Sequence, residues 1–217
     1  MAKYFSYFPS TRYKLTDDAL GLDVLTNLMS RFKLEESFKE NTSVYYKYDI
    51  RDGDTPETVA YYAYGSVERH WMVLLYNNII DPQYDWPLQF KSLTNYVDQK
   101  YSANNYADTA NTGVSGLVWA KTHNHSYYVT ETTEFMDTVS TNTYEIDSAT
   151  YANVSTTITP NEITLKDGNK IYQSNTKTSI NYYQYEEQEN EKKRSIKLLK
   201  NDFVFALEEE LRRSLQE

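Results

Sequence analysis

The side chains best equipped for chemistry are three histidines, His70, His123 and His125, and two acids that flank a glycine, Asp52 and Asp54. His123-x-His125 on a strand would place two imidazoles on one face, which a metal can use. Only generic acids, Glu131 and Glu134, lie nearby, so the pair falls short of a ligand set. His70 beside Trp71 on a helix reads as a hydrogen-bonded core or interface residue. Asp52 and Asp54 have the types of a glycosidase carboxylate pair. Acids around a Gly turn at a helix start, however, have capping and dipole reasons to be there. Calcium fails on order, because Gly53 precedes the last acid instead of following three spaced ones. Ser115, near Gly113 and Gly116, lacks the spacing of a nucleophile elbow, and no GxxxxGK, GxGxxG, GxSxG or HExxH motif occurs. The expectation is a protein that is not an enzyme, with no catalytic, cofactor-binding or metal-binding residues and no cofactor.

Composition points the same way. The chain has 217 residues and a net charge of -9, with a pI near 4.9. That balance disfavours nucleic acid, whose binders supply cations to phosphate, and an anionic membrane surface. No cysteine is present, so disulfides, zinc thiolates and thiol nucleophiles are excluded. Met1-Ala2-Lys3 leads into aromatic and polar residues, so no signal peptide is expected, and no apolar run has the length of a membrane span. The expectation is a chain made and used in the cytoplasm, unless a larger assembly carries it out. The unusual quantity is 22 tyrosines. Tyrosine packs well in strands and is enriched in interfaces; in bulk, with few aliphatics, it leans towards an assembly protein.

The densest structural signals lie between Tyr45 and Leu88. Tyr46, Tyr48 and Ile50 alternate with Lys47, Asp49 and Arg51, the period of a half-buried strand. Asp52-Gly53-Asp54 ends it. Thr55 can cap the next helix, Pro56 suits its first position and Glu57 its dipole. That helix holds Val59, Ala60 and Tyr64, with Gly65 as its stop. Ser66 is expected to cap a second helix with Val67, Trp71, Leu74 and Leu75 on one face. Asn77-Asn78 and Asp81-Pro82 close the unit.

Tyr48-Asp49-Ile50, Gly53-Asp54-Thr55, Val59-Ala60 and Tyr64-Gly65 resemble the first half of a LysM module. The longer set Asp52–Glu57, Tyr64-Gly65-Ser66, His70-Trp71, Asn77–Pro82 and Asp85–Leu88 resembles the LysM-like wedge protein of contractile-tailed, T-even-type phage baseplates. Weaker likeness extends to Tyr4-Phe5-Ser6 with Phe8-Pro9 and to Ile196–Leu199. The resemblance implies a structural protein of the virion, in the tail baseplate, that joins wedges to one another and to the central hub during assembly. It implies other wedge proteins, a sheath-initiator-like protein and the hub as partners. LysM repeats also bind N-acetylglucosamine polymers, so a peptidoglycan-binding module is the alternative, with weak glycan binding as its trace. A sugar-binding LysM continues into a strand after its Asn/Pro loop; here Gln83–Leu88 follows, so the second strand must come from elsewhere.

Around this module, residues 1–20 are aromatic and irregular, an arm either folded back or docked on a neighbour. Residues 21–40 are predicted helical from Leu22, Leu25, Leu28 or Met29, and Phe32, with Arg31, Lys33, Glu35 and Glu36 as a solvated end. Pro87 opens a helix with Phe90, Leu93, Val97 and Tyr101. Residues 102–113 read as a linker or long loop. Strands are predicted at Leu117–Lys121, Ser126–Glu131, Thr143–Ile146, Asn153–Ile158, Ile163–Lys166 and Ser179–Tyr185, with Asp167-Gly168 as a hairpin turn returning through Ile171-Tyr172. They suggest a small antiparallel sheet or irregular sandwich, packed on a partner or mobile. Glu186–Arg194 is a charge run, a solvated link or helix start. Asn201 or Asp202 caps a final helix striped by Phe203, Leu207, Leu211 and Leu215.

The expected class is α+β, in four parts: 1–40, an aromatic arm and helix; 41–102, a LysM-like module with a following helix; 103–185, a β-rich segment; and 186–217, a C-terminal helical segment. Gly53, Asp54, Thr55 and Pro56 form the LysM-like turn, and Trp71, Trp86, Tyr84 and Asp52–Glu57 shape the module. Tyr84, Trp86, Tyr4, Phe5, Phe8, Phe203 and Leu207 are the expected partner contacts.

Overall fold

The structure, a computed structural model, describes residues 4–14, 23–30, 32–102, 113–157 and 159–216. Leu22, Arg31, Ile158 and the 103–112 part of the predicted linker lie outside the described residues. In chain order the elements are β1 (Ser10–Tyr13), β2 (Asp23–Thr26), α1 (Glu36–Glu40), β3 (Tyr45–Asp49), α2 (Pro56–Tyr64), α3 (His70–Tyr76) and α4 (Pro82–Asp85). There follow α5 (Phe90–Lys100), α6 (Gly116–Thr122), β4 (Asn124–Phe135), β5 (Thr138–Ile146), α7 (Ser148–Asn153), β6 (Asn161–Thr164), β7 (Lys170–Asn181), α8 (Tyr182–Lys192), β8 (Ser195–Leu199) and α9 (Asn201–Gln216). This mixture of helices and antiparallel sheets is an α+β fold. Two compact units divide it: Met1–Gln89 with Glu191–Glu217, and Phe90–Asn190.

The first unit is built on the Tyr45–Leu88 stretch. β3 stops at a turn in which Gly53 takes φ 94°, a left-handed angle that other side chains resist. Thr55 caps α2 by accepting from the Thr58 amide at 3.3 Å, with Pro56 at the first helical position. Gly65 ends α2 at φ 67°, its N–H donating to Tyr61 O. The next expectation is corrected: Ser66 makes no side-chain cap bond, and Val67–Arg69 form a 3-10 turn before α3. Val67 is exposed, and the buried face of α3 is Trp71, Met72, Val73 and Tyr76. A 3-10 turn advances by 120° per residue, which rotates the helix away from the stripe drawn from Val67.

The second strand does come from elsewhere. β8 pairs antiparallel with β3, from Tyr45↔Leu199 to Asp49↔Ser195. The far edge of β8 is finished by Asn77, whose Oδ1 accepts from Lys197 N and whose Nδ2 donates to Lys197 O, both at 2.8 Å. One side-chain amide thus imitates a strand residue and ties the end of α3 to the sheet. Leu198, Leu199, Met72 and Val73 are essentially inaccessible. Each such side chain contributes about 1.5–3 kcal/mol of burial.

α9 lays Val204, Leu207, Leu211 and Leu215 into the same core, with Phe203 half-buried. Arg69 donates to Glu208 at 2.9 Å and to Tyr64 O at 3.2 Å, joining α2 to α9. The aromatic arm folds back on this unit: Tyr4 stacks on Trp71 at 5.2 Å, and Tyr7 lies buried under the Arg212 guanidinium. The helix predicted over 21–40 is not formed. Asp23–Thr26 pairs antiparallel with Ser10–Tyr13, and only Glu36–Glu40 is helical. Val24, Leu28 and Met29 are exposed, Met29 by 88%. A short helix gains most of its stability from packing one face, and these exposed side chains are not packed on the core of the unit.

The second unit is a four-stranded antiparallel sheet in the order β5-β4-β7-β6, with helices α5 to α8. The predicted hairpin at Asp167-Gly168 is present: Gly168 has φ 86°, and β6 pairs with β7 through Ile163↔Ile171. Three expectations are corrected. Leu117–Lys121 lies in helix α6, because Ser115 caps it by accepting from the Val118 amide. Asn153 ends helix α7, started by Asp147, and 154–157 have no regular structure. Of Ser179–Tyr185, only the part up to Asn181 is strand, after which α8 begins. The charge run is helical, and Glu186 is buried rather than solvated, accepting from Lys100 Nζ at 2.6 Å and Tyr101 Oη at 2.7 Å.

Candidate assembly surfaces

The acids around Gly53 serve the turn. Tyr48 Oη donates to Asp54 Oδ2 at 3.0 Å, and the Arg51 amide donates to the same oxygen at 3.3 Å. Burial first, and then the Asp54 bond, push the Tyr48 hydroxyl upward, so it remains a donor. Asp52 faces Arg194 at 3.5 Å. Arg194 also donates to Ile50 O at 3.2 Å, and its own carbonyl accepts from the Ile50 amide at 2.9 Å. Trp86 Nε1 donates to Asp54 O at 2.8 Å from the other side. The loop after β3 and the loop before β8 are therefore bonded directly to each other. Both acids are thus engaged in holding the turn, Asp54 by Tyr48 and the Arg51 amide and Asp52 by Arg194.

The side chains expected to meet partners fall into three places in this unit. Tyr4, Phe5 and Phe8 gather at Trp71, and a groove of about 470 Å³ is lined there by Tyr4, Phe5, Leu74, Leu75 and Ile79, with Glu68 and His70 at its polar side. His70 Nδ1 lies 3.0 Å from Val67 O. Phe203 and Leu207 line a second groove of about 470 Å³ with Phe32, Leu34 and Phe38. Tyr84 and Trp86 stand together at α4 and differ in exposure: Tyr84 is 64% exposed and Trp86 only 7%. Lys193 Nζ donates to Tyr84 O at 2.6 Å. Phe5 is 61% exposed, whereas Leu207 is buried.

Other residues matter that sequence reasoning passed over. Tyr61, Tyr62 and Phe205 are exposed beside a groove of about 530 Å³ that also includes Arg69 and Asn201. Tyr61 and Tyr62 both lie on the side of α2 away from its buried residues Val59, Ala60 and Tyr64, and both are exposed. Arg194 and Asn77 hold the turn and the sheet together. Their signal was weak, since neither a charge run nor an Asn pair announces a backbone contact made far along the chain.

In the second unit the histidines are packing residues. His123 stacks on Trp119 at 4.4 Å and His125 on Tyr185 at 3.9 Å. Among the described residues no three His, Asp or Glu side chains converge as a metal requires, and no helix is long and apolar enough to cross a membrane.

No curated protein matches the chain. The family described as "Base plate wedge protein 53" matches residues 4–213, nearly the whole length over which the two units are built. The chain belongs to this family of phage baseplate wedge proteins and is a structural component of the virion tail.

Proposed function

We propose that this protein joins baseplate wedges to one another and to the central hub as the ring assembles, without catalysing a reaction. Its partners are the other wedge proteins, the sheath-initiating protein and the hub. The observation that carries this reading is a set of exposed apolar side chains on the first unit: Val24 on β2, Leu28 and Met29 in the turn after it, Phe5 and Tyr84. β1 and β2 have no buried side chain on either strand, so this pair has no core of its own to justify valine, leucine and methionine. An exposed apolar patch marks an interaction site, and aromatic anchors dominate interface energetics. Tyr84 and Phe5 are the proposed anchors. Tyr4 and Phe203 each line a groove, Phe8 packs on Tyr4 and Phe5, and Trp86 and Leu207 act from inside, by holding the turn and α9.

The test is incorporation into a complex with the purified wedge proteins of the same phage. Replacing Met29 and Tyr84 together by alanine should weaken incorporation at least tenfold while the melting midpoint of the isolated chain is kept. Unchanged incorporation would remove these anchors.

One observation favours a second reading. The order β3, α2, α3, β8 is a strand-helix-helix-strand unit with paired strands, the LysM pattern divided by an insertion. Glycan binding by such a unit would use the space between the two loops, which Arg194, Ile50 and Trp86 occupy. Retention on purified peptidoglycan, reversed by soluble N-acetylglucosamine oligomers, would nevertheless move the assignment to a glycan binder.

A further inference from the structure

The two edges of the sheet in the second unit are finished differently. On one side β6 pairs with the start of β7 through Gln173. Beyond it Thr157 covers Asn175, donating its N–H to Asn175 O at 3.1 Å and accepting from Asn175 N at 2.7 Å through its hydroxyl. On the other side β5 runs for 9 residues, TVSTNTYEI, in unbroken register with β4. Every β5 residue except Ile146 is exposed. Proteins keep an edge strand from pairing by making it short, bulged or covered, or by placing Lys or Pro on it. β5 uses none of these devices. Its backbone alternates between β4 and open solvent, so it presents a row of unpaired donors and acceptors.

The ionised side chains of the β4–β5 hairpin itself have one sign, and Lys177 of the neighbouring β7 is engaged by Tyr151 O and Val154 O. No Lys or Arg occurs from Thr122 through Leu165, while Glu131, Glu134, Asp137, Glu145 and Asp147 all lie on or beside the β4–β5 hairpin. Glu131 stands opposite Asn142, and Glu134 opposite Val139, in the β4–β5 register. A second copy of β5 would bring this acidic hairpin against itself. An extended segment carrying Lys or Arg would meet it with opposite charge, and complementary charge of this kind sets partner choice and encounter rate.

We propose that the free edge of β5 is a strand-addition site, which takes an extended, Lys- or Arg-bearing segment of another baseplate protein as a fifth strand. Main-chain bonds along Thr138–Ile146 supply the affinity and the acidic hairpin supplies the selection. The inference rests on the wedge-joining reading for the source of the partner.

Hydrogen exchange on the full chain tests it, alone and mixed with the purified wedge proteins. The expected result is that amides of Thr138–Ile146 exchange at least tenfold more slowly in the complex, with the effect weakened by added salt. The double variant Val139→Lys and Thr141→Lys, both on one exposed face of β5, should weaken the complex at least tenfold without lowering the melting midpoint. A complex that forms with β5 exchange unchanged overturns the inference and leaves the wedge reading standing. Failure to form any complex removes both. Protection of β5 in the chain alone, growing with concentration, assigns the edge to a second copy and overturns the basic partner.

Discussion

Tyr64 and its neighbours show how one residue type divides between core and surface. Tyr64 Oη accepts from the Leu199 amide at 3.1 Å inside the core, while Tyr61 and Tyr62, on the same helix, are exposed. Burial raises the Tyr64 hydroxyl well above its ordinary range and pushes Tyr76, which donates to Lys39 O, up to about 12. The fold therefore holds these groups neutral, whereas the unfolded chain ionises them near pH 10. Stability is fully present below about pH 10 and falls as pH rises through the folded-state values, by about 1.4 kcal/mol per pH unit for each such proton. Tyr64→Phe should make the fall between pH 10 and 12 shallower by one proton's worth, measured by urea titrations at several pH values. Equal slopes in the two proteins would contradict the assignment. The abundance of tyrosine is legible in the sequence. Which tyrosine is buried is not, because that depends on where α9 and β8 return to the module. The turn is legible to the residue: Gly53, Thr55, Pro56 and Gly65 act through local backbone preferences that need no distant partner.

Elements show the same divide between local and distant signals. α2 follows from its cap and spacing, and α5 and α9 from spacing alone: α5 starts at Phe90 rather than at Pro87, and Asn201 and Asp202 lie inside the first turn of α9 instead of capping it. Phe90 is exposed while Leu93, Val97 and Tyr101 of the α5 stripe are buried. α6 is misread as a strand because Leu117–Lys121 is short and apolar, where period alone cannot separate the two. What makes it a helix is the Ser115 cap and a close crossing with α5. A Cβ on Gly116 would stand 2.2 Å from Asp98 O and 2.7 Å from Ser102 N, both backbone atoms. Gly116→Ala should therefore cost about 3 kcal/mol, by forcing the two helices apart. Ser115→Ala should cost about 1 kcal/mol, the worth of a cap. Chemical denaturation of the two variants checks the order, and a Gly116→Ala variant as stable as the native protein would refute the close crossing. β5 is only half legible, since Thr, Ser and Asn exposed on both faces leave no alternation to read. β8 is not announced as a strand, because Ile196–Leu199 is only a short apolar run and its partner β3 lies far back in the chain.

At the scale of the molecule, the wealth of tyrosine leans towards an assembly protein, and the family match over residues 4–213 places it in the baseplate. What the sequence conceals is that the chain leaves its first unit after Gln89, builds a second one, and returns at Glu191 to complete the first. The central claim is that this protein joins wedges into a ring. The direct measurement is electron microscopy of purified wedges and hub, with and without the chain. The account predicts separate wedges in its absence and closed rings on its addition, with the chain present in them. Closed rings that form equally well without it, or rings that exclude it, would contradict the account.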